Sequence, residues 1–257
     1  MEFIDQIGNK LFMSRFPERI ISLVPSLTEL LFDLELDREI IGITEHCVLP
    51  VDKTATRKKI GTIQQIDFSA IKALNPDLII GSKEENKREQ IFCLKKEFPV
   101  WISDVENLEG ALNMIGAIGE ITNKTQTAKR IFNEISLRLN SLPEFTMKKV
   151  AYLIWKNPFI AAGGNTFIND MLELCGFENI FKDRFRYPTV CLQDMNEADY
   201  ILLSSEPCSF NDDDIDYLGK QFPGKRAIHV DGRIFSWYGS HIIDAADYFL
   251  LLRKDLT

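Results

Sequence analysis

Three consecutive residues, Glu45-His46-Cys47, carry side chains that could together bind a metal ion. Carboxylate, imidazole and thiolate groups are all metal ligands in proteins. Successive residues of an extended segment point in alternate directions, so all three side chains rarely reach one ion. The CxxC and HxxxH spacings of structural zinc sites are absent from the chain. The triplet therefore favours residues that line a binding site over a resident metal centre.

The other two histidines, His229 and His241, lie in the second half of the chain. They could approach His46 only if the fold brings the two halves of the chain face to face. All three histidines are candidate metal ligands under that condition. No catalytic residues are predicted, because the GxSxG, HExxH and GxGxxG signatures are absent. The sequence thus favours a binding protein over an enzyme.

Polar and aromatic residues follow several short apolar runs in both halves of the chain. In open α/β sheets, ligands bind outside the carboxyl ends of the strands. Aromatic faces at such a place suit a flat, partly apolar ligand. The sequence therefore predicts a cleft between two lobes as the ligand site. Its predicted lining is Ser26, Glu45, His46 and Ser82 from the first lobe, and Trp155, Asn157, Trp237 and Tyr238 from the second.

Acidic residues occupy matching positions after strands in the two halves. Glu84 and Glu85 follow an apolar run in the first half, and Glu206 follows one in the second. Such carboxylates are usually solvated surface charges. One acidic position on each lobe also fits a basic protein partner that docks across both lobes. For that role we expect Glu206 and one of Glu84 and Glu85 to be unpaired within the chain.

Apolar runs of strand length alternate with helical patterns on either side of a long helical stretch. This alternation predicts an α/β fold with two Rossmann-like lobes and parallel sheets. Between the lobes, apolar residues recur at helical spacing and predict one long backbone helix over 117–139 that joins the lobes in a single passage. The predicted units are an N-terminal lobe at 1–115, the connecting helix at 116–143 and a C-terminal lobe at 144–257.

The composition excludes several classes of partner. A formal net charge of −8 over 257 residues argues against nonspecific nucleic-acid binding. No apolar stretch has the length of a membrane span, so the chain is not expected to be embedded in a membrane. The N-terminal residues lack the basic start and apolar core of a secretory signal. We therefore expect a cytoplasmic monomer, or a periplasmic one if a signal segment has been removed.

The segment from Arg19 to Leu31, RIISLVPSLTELL, resembles the opening motif of the vitamin B12 and ferric-siderophore substrate-binding proteins of ABC transporters, the helical-backbone metal receptors. The pattern continues in order through IGIT at 41–44, IGT at 60–62 and IKALNPDLII at 71–80. In the second half SSEP at 204–207, DG at 231–232 and SWYGS at 236–240 match it as well. The resemblance implies two lobes joined by a rigid backbone helix, with little hinge closure when ligand binds.

The resemblance also implies a function and a protein partner. The expected ligand is a metal chelate, either a corrinoid such as cobalamin or an iron-siderophore or haem-like complex, and no cofactor is required. The expected partner is an ABC permease, whose arginines would receive one carboxylate from each lobe. Glu206 resembles the carboxylate of the second lobe, and Glu84 or Glu85 that of the first.

Three departures from the family pattern keep alternatives open, and the first is the lack of a signal peptide or lipobox, which argues against capture in the periplasm. Ser82-Lys83-Glu84 stands where the B12 binders often carry tryptophan, and His241 stands where close relatives are expected to carry arginine. The first alternative is a cytoplasmic protein that handles or senses a corrinoid or metal complex without a transporter. The second is a chelatase-like enzyme that uses His46 with His229 or His241.

Overall fold

A computed structural model describes residues 1–256 of the chain. The chain divides into two compact units whose sequence ranges interleave. The first unit contains Met1–Val105, Glu109–Ser136 and Tyr238–Ile243. The second contains Glu106–Leu108, Leu137–Trp237 and the residues from Asp244 onward. The chain therefore passes between the units more than once, and the expected single passage is wrong.

The first unit is built on a five-stranded sheet in which all neighbouring strands are parallel. Its strand order is β5-β4-β3-β6-β7, and a separate antiparallel hairpin, β1-β2, precedes it. The strands are β1 Glu2–Ile4, β2 Lys10–Phe12, β3 Ile20–Ser22, β4 Ile40–Ile43, β5 Lys58–Lys59, β6 Leu78–Ser82 and β7 Val100–Ser103. The helices between them are α1 Pro25–Asp33, α2 Val51–Thr54, α3 Phe68–Leu74 and α4 Arg88–Leu94.

Local sequence explains where these elements lie. The central strands β3 and β6 are buried along their whole length, as expected for apolar runs covered on both faces. Helix α3 begins after Asp67, whose carboxylate accepts a hydrogen bond from the Ala70 amide. It ends at Asn75, which has a left-handed backbone conformation with φ of 44° and is followed by proline.

The second unit contains a sheet of order β10-β8-β11-β12 with parallel pairing, and β9 pairs antiparallel with β8. Its strands are β8 Lys148–Trp155, β9 Ile160–Ala161, β10 Phe177–Asn179, β11 Tyr200–Ser204 and β12 Arg226–Val230. Its helices are α7 Phe167–Leu174, α8 Asp212–Gln221, α9 Gly232–Ser236 and α10 Ala245–Asp255. Phe181, Met195 and Leu203 are among the buried residues of its core. The predicted α/β class with two parallel sheets is confirmed.

The single helix predicted over 117–139 is instead two helices. Helix α5 spans Leu108–Ile121 and helix α6 spans Thr125–Asn140. Between them Asn123 has φ of 59°, in the left-handed region that ends helices. A Cβ added at Gly119 would collide with the Cβ of Ala128, so the two helices pack closely at this corner. Within residues 1–256, no helix is both long and apolar enough to cross a membrane.

Candidate functional site

A buried polar cluster lies at the carboxyl edge of the first unit's sheet. The Thr28 hydroxyl lies 2.8 Å from the Ser22 hydroxyl and 3.0 Å from the Cys47 sulfur. The Thr44 hydroxyl lies 3.1 Å from the same sulfur. All four residues are fully buried. Because they satisfy one another's hydrogen bonds, these side chains support the chain that follows β4 and present little polar surface to a ligand.

Residues 44–47 form a turn after β4, which we call the β4 turn. The Glu45 amide donates to the Gly61 carbonyl at 2.9 Å, and the Cys47 amide donates to the Thr44 carbonyl at 3.1 Å. The Lys59 ammonium donates to the Cys47 carbonyl at 3.0 Å. The Glu45 and His46 side chains are exposed. The turn is thus fixed through its backbone and its buried ends, while two of its side chains face solvent.

The candidate metal ligands do not form a metal centre. Burial raises the pKa of the Cys47 thiol, and the hydrogen bonds with Thr28 and Thr44 offset only part of that rise. A neutral thiol is a poor metal ligand. His229 lies 3.6 Å from Asp212, and His241 lies 3.0 Å from Glu29. Among residues 1–256 no group of three or more His, Cys, Asp or Glu side chains is placed to hold a metal ion.

The burial of the cysteines gives a direct test of this arrangement. We expect an alkylating reagent to modify the exposed Cys93 and Cys191 in the native protein, and to modify Cys47 and Cys175 only after unfolding. Burial raises the pKa of both protected thiols, which reduces their reactivity further. Mass spectrometry of peptides after labelling would measure the order of modification. Modification of Cys47 at the rate of Cys93 would contradict the placement of the β4 turn.

Tyr238 belongs to the first unit, so its predicted place in the second lobe is wrong. Its hydroxyl donates to the Ser82 hydroxyl at 2.7 Å, and lies 3.4 Å from both the Ser103 hydroxyl and a Glu85 carboxylate oxygen. Burial raises the pKa of Tyr238, and the nearby Glu85 charge raises it further. The phenol therefore stays neutral and fastens its segment to the ends of β6 and β7.

Ser82 is the last residue of β6 and Ser26 follows β3, but both are almost fully buried. Ser26 is in the first turn of α1, against which Gly239 packs. Its hydroxyl makes no hydrogen bond to any described residue. Ser82 is occupied by Tyr238 and by the Glu84 amide, which lies 3.2 Å from its hydroxyl. These two serines therefore offer buried polar atoms and little open surface.

An aromatic face lies at the carboxyl end of β8 in the second unit. Trp155 is 42% exposed and pairs with Ile160, which bridges in turn to Thr189. Residues directly opposite each other in antiparallel strands share a face, and Tyr187 joins them by the two-residue period. We call Trp155, Ile160, Tyr187 and Thr189 the aromatic face. Asn157 is exposed in the turn between β8 and β9, with φ of 58°.

Sequence reasoning missed three members of the aromatic face, namely Ile160, Tyr187 and Thr189. The segment that carries the last two is paired to residues 159–164 by backbone hydrogen bonds, for example from the Ala161 amide to the Pro188 carbonyl at 3.0 Å. The only sequence signal for this segment is a short alternation of apolar and polar residues. Pro188 interrupts that alternation and argues against a strand. The one sequence feature that could have indicated this part of the aromatic face was Tyr187 beside Pro188.

Trp237 is 7% exposed and does not present an open aromatic surface. Its indole nitrogen donates to a Glu206 carboxylate oxygen at 2.9 Å. Glu85 lies within hydrogen-bonding distance of Tyr238, as described above. The expectation that Glu206 and one of Glu84 and Glu85 are unpaired is therefore wrong for Glu206 and Glu85, and Glu84 also interacts within the chain. Glu84 is exposed, whereas Glu85 and Glu206 are partly exposed.

Two α/β units that carry polar and aromatic side chains at the carboxyl edges of parallel sheets are typical of small-molecule binding proteins. The family model described as periplasmic binding protein matches residues 20–216, and the chain belongs to this family. The resemblance of its motifs to the substrate-binding proteins is thereby confirmed.

Individual relatives support this assignment. A protein of Vibrio parahaemolyticus named vitamin B12-binding protein is 27% identical over 251 residues, which cover 92% of this chain and 91% of that one. The structure of a possible iron-binding, periplasmic solute-binding protein from Staphylococcus epidermidis has a TM-score of 0.76 at 24% identity, covering 94% and 99% of the two chains. A periplasmic haem-binding protein of Vibrio cholerae has a TM-score of 0.76 at 22% identity, covering 93% and 98%. At these identities the two structures show likeness of fold.

Proposed function

We propose that this chain is a binding protein for a metal chelate, either a corrinoid or an iron-siderophore or haem-like complex, and that it catalyses no reaction. The main support for the proposal is the similarity to the relative named vitamin B12-binding protein, which extends over 92% of this chain. The solved structures of like fold are named for iron and for haem. Corrinoids and haem share a flat macrocycle around a metal, with polar groups at its rim.

The two edges supply contacts of the kind that such a ligand needs. The aromatic face offers an exposed indole for stacking or apolar contact. The β4 turn offers a carboxylate and an imidazole on a fixed backbone. Of the eight predicted residues, we assign direct ligand contact to the four exposed ones, Glu45, His46, Trp155 and Asn157. We assign a positioning role to the four buried ones, Ser26, Ser82, Trp237 and Tyr238.

Thermal unfolding with candidate ligands tests the proposal. A ligand that binds only the native state adds about 2.7 kcal/mol to the free energy of unfolding when its concentration is 100 times Kd. We expect cobalamin, cobinamide, haem or a ferric siderophore to raise the melting temperature accordingly. Trp155→Ala should reduce the rise, because it removes the exposed indole of the aromatic face. Phe92→Ala removes an aromatic ring that is 63% exposed on α4 and should leave the rise unchanged.

Flat melting curves with all four kinds of chelate would contradict the proposal. An equal loss of stabilisation in Trp155→Ala and Phe92→Ala would leave chelate binding intact but would remove the aromatic face from the site.

We further propose that the bound chelate is delivered to an ABC permease outside the cytoplasmic membrane. The alternative is a cytoplasmic protein that handles or senses the chelate without a transporter. The internal hydrogen bonds of Glu206 and Glu85 favour this alternative, since both proposed docking carboxylates already have partners. Fractionation of the host cell separates the two, because delivery requires the protein in the periplasm and handling places it in the cytoplasm.

A further inference from the structure

Helix α10 of the second unit carries apolar residues on its outer face as well as on the face that packs into the unit. Phe249 and Leu252 are buried, whereas Leu250 is 43% exposed and Leu251 is 63% exposed. A surface helix usually keeps its apolar residues in one stripe that faces the core. Two neighbouring leucines outside that stripe are therefore a candidate contact surface for another molecule.

A charged residue lies on each side of this pair of leucines. Asp247 precedes the pair by one helical turn, Lys254 follows it by one turn, and both side chains are exposed. Residues at positions i, i+3, i+4 and i+7 share one face of a helix, so the two charges and the two leucines form a single row. We call Asp247, Leu250, Leu251 and Lys254 the α10 stripe. It is acidic at the end nearer the N-terminus of the helix and basic at the other end.

The α10 stripe is complementary to a second copy of itself. In an antiparallel pair, a two-fold axis between Leu250 and Leu251 places each leucine against the other leucine of the second copy. The same axis places Asp247 of each copy against Lys254 of the other. An interface with two-fold symmetry uses the same patch on both copies, so each favourable contact occurs twice. A parallel pair would instead bring like charges together, which disfavours association.

Further exposed apolar residues lie close to contacts with α10. Leu137 is 70% exposed, and its neighbour Arg138 donates to the Asp247 carboxylate at 3.1 Å. Met147 is 54% exposed, and the carbonyl of its neighbour Thr146 accepts a hydrogen bond from α10. These side chains add to the apolar surface near the stripe that a second copy could cover.

We propose that the α10 stripe is the interface of an antiparallel homodimer in solution. The opposite charges at the two ends of the stripe favour a second copy over an anionic membrane, which attracts basic faces and would repel a chain with a net charge of −8. An interface of this kind is small, so we expect a weak dimer with a dissociation constant in the micromolar range or above. The expected monomer then predominates only below that concentration.

Analytical ultracentrifugation of the full chain tests this inference, over concentrations from about 1 µM to about 1 mM. The mean mass should rise from that of one chain towards that of two. Leu251→Glu puts a charge at the centre of the stripe and should raise the dissociation constant of the dimer at least about tenfold. Phe92→Glu is the matched control, because Phe92 is also 63% exposed but lies on α4 of the first unit, and it should leave the constant unchanged.

Exchange of the two charges tests the antiparallel register. In Asp247→Lys two positive charges meet at both ends of the interface, and in Lys254→Asp two negative charges meet there. Each variant alone should therefore dimerise at least about tenfold more weakly than the wild type. An equimolar mixture of the two variants restores a pair of opposite charges at both ends and should form a heterodimer about as tight as the wild-type dimer. Recovery in the mixture also shows that both variants are folded.

A wild-type protein that stays monomeric up to the highest concentration overturns the inference. A dimer that Leu251→Glu and Phe92→Glu weaken equally overturns it as well, since another surface then holds the two copies together. If either charge variant dimerises as tightly as the wild type, or if the mixture does not recover association, the antiparallel pairing of the stripe is wrong. None of these results affects the proposed function, because no residue of the α10 stripe is assigned to the ligand site.

Discussion

Replacing Arg253 with alanine is expected to lower the free energy of unfolding by about 3 kcal/mol or more. Arg253 is 7% exposed on α10. Its guanidinium donates to the carbonyls of Gly176, at 3.2 Å, and Thr146. It also lies between the rings of Phe145 and Phe177, at 5.3 Å and 4.7 Å from their centroids. Alanine would leave two carbonyls without this donor and a cavity between two aromatic rings.

Denaturation in urea, followed by circular dichroism, measures the effect. Arg226→Ala is the matched control, because Arg226 is exposed and donates to a single carbonyl, that of Asp255. Its expected change is within about 0.5 kcal/mol, as for most surface substitutions. Arg253→Lys keeps the charge but lacks the planar fork that reaches both carbonyls, so it should recover only part of the loss. A change below about 1 kcal/mol for Arg253→Ala would contradict the structural role of the buried guanidinium.

The sequence was sufficient for the longer strands of both sheets, but not for the short strands β5, β9 and β10 or for the connection between α5 and α6. Apolar runs such as 20–24 and 77–80 are short and bounded by turn residues, which is a strong strand signal. Between the lobes, Ile118, Ile121, Ala128 and Ile131 keep a helical period across the break, and all four are buried in the structure. The break between the helices depends on the left-handed conformation of Asn123 and on the close packing at Gly119. A pattern of hydrophobic residues predicts neither of these features.

The position of a site residue along a strand was predictable, but its exposure was not. Trp155 is the last residue of β8, and Trp237 follows α9. Trp155 is exposed, whereas Trp237 is buried against Glu206. The difference depends on a hydrogen-bond partner 31 residues away in the chain. Likewise, Tyr238 contacts Ser82 across 156 residues of sequence. Contacts between residues so far apart in the sequence follow from tertiary packing, and local patterns of residue types do not predict them.

The double variant Glu206→Gln with Glu85→Gln is expected to reduce chelate uptake by the host at least about tenfold if the protein docks on a permease. Glutamine keeps an acceptor for the Trp237 indole and the Tyr238 hydroxyl, so the internal hydrogen bonds remain while both charges are lost. Ligand affinity, measured on the purified protein, should therefore stay the same. Combining Glu206→Gln with Glu84→Gln in a second double variant shows which residue supplies the carboxylate of the first unit.

Glu18→Gln is the control, since it removes an exposed carboxylate just before β3, at the opposite end of that strand from the proposed site. Charge steering acts mainly on association rate and weakens with salt. The difference between wild type and the active double variant in binding to the purified permease should therefore shrink as ionic strength rises. If uptake is unchanged in both double variants, or falls equally in Glu18→Gln, these carboxylates do not guide docking. In that case a role in handling the chelate without a transporter accounts better for carboxylates that are bonded within the chain.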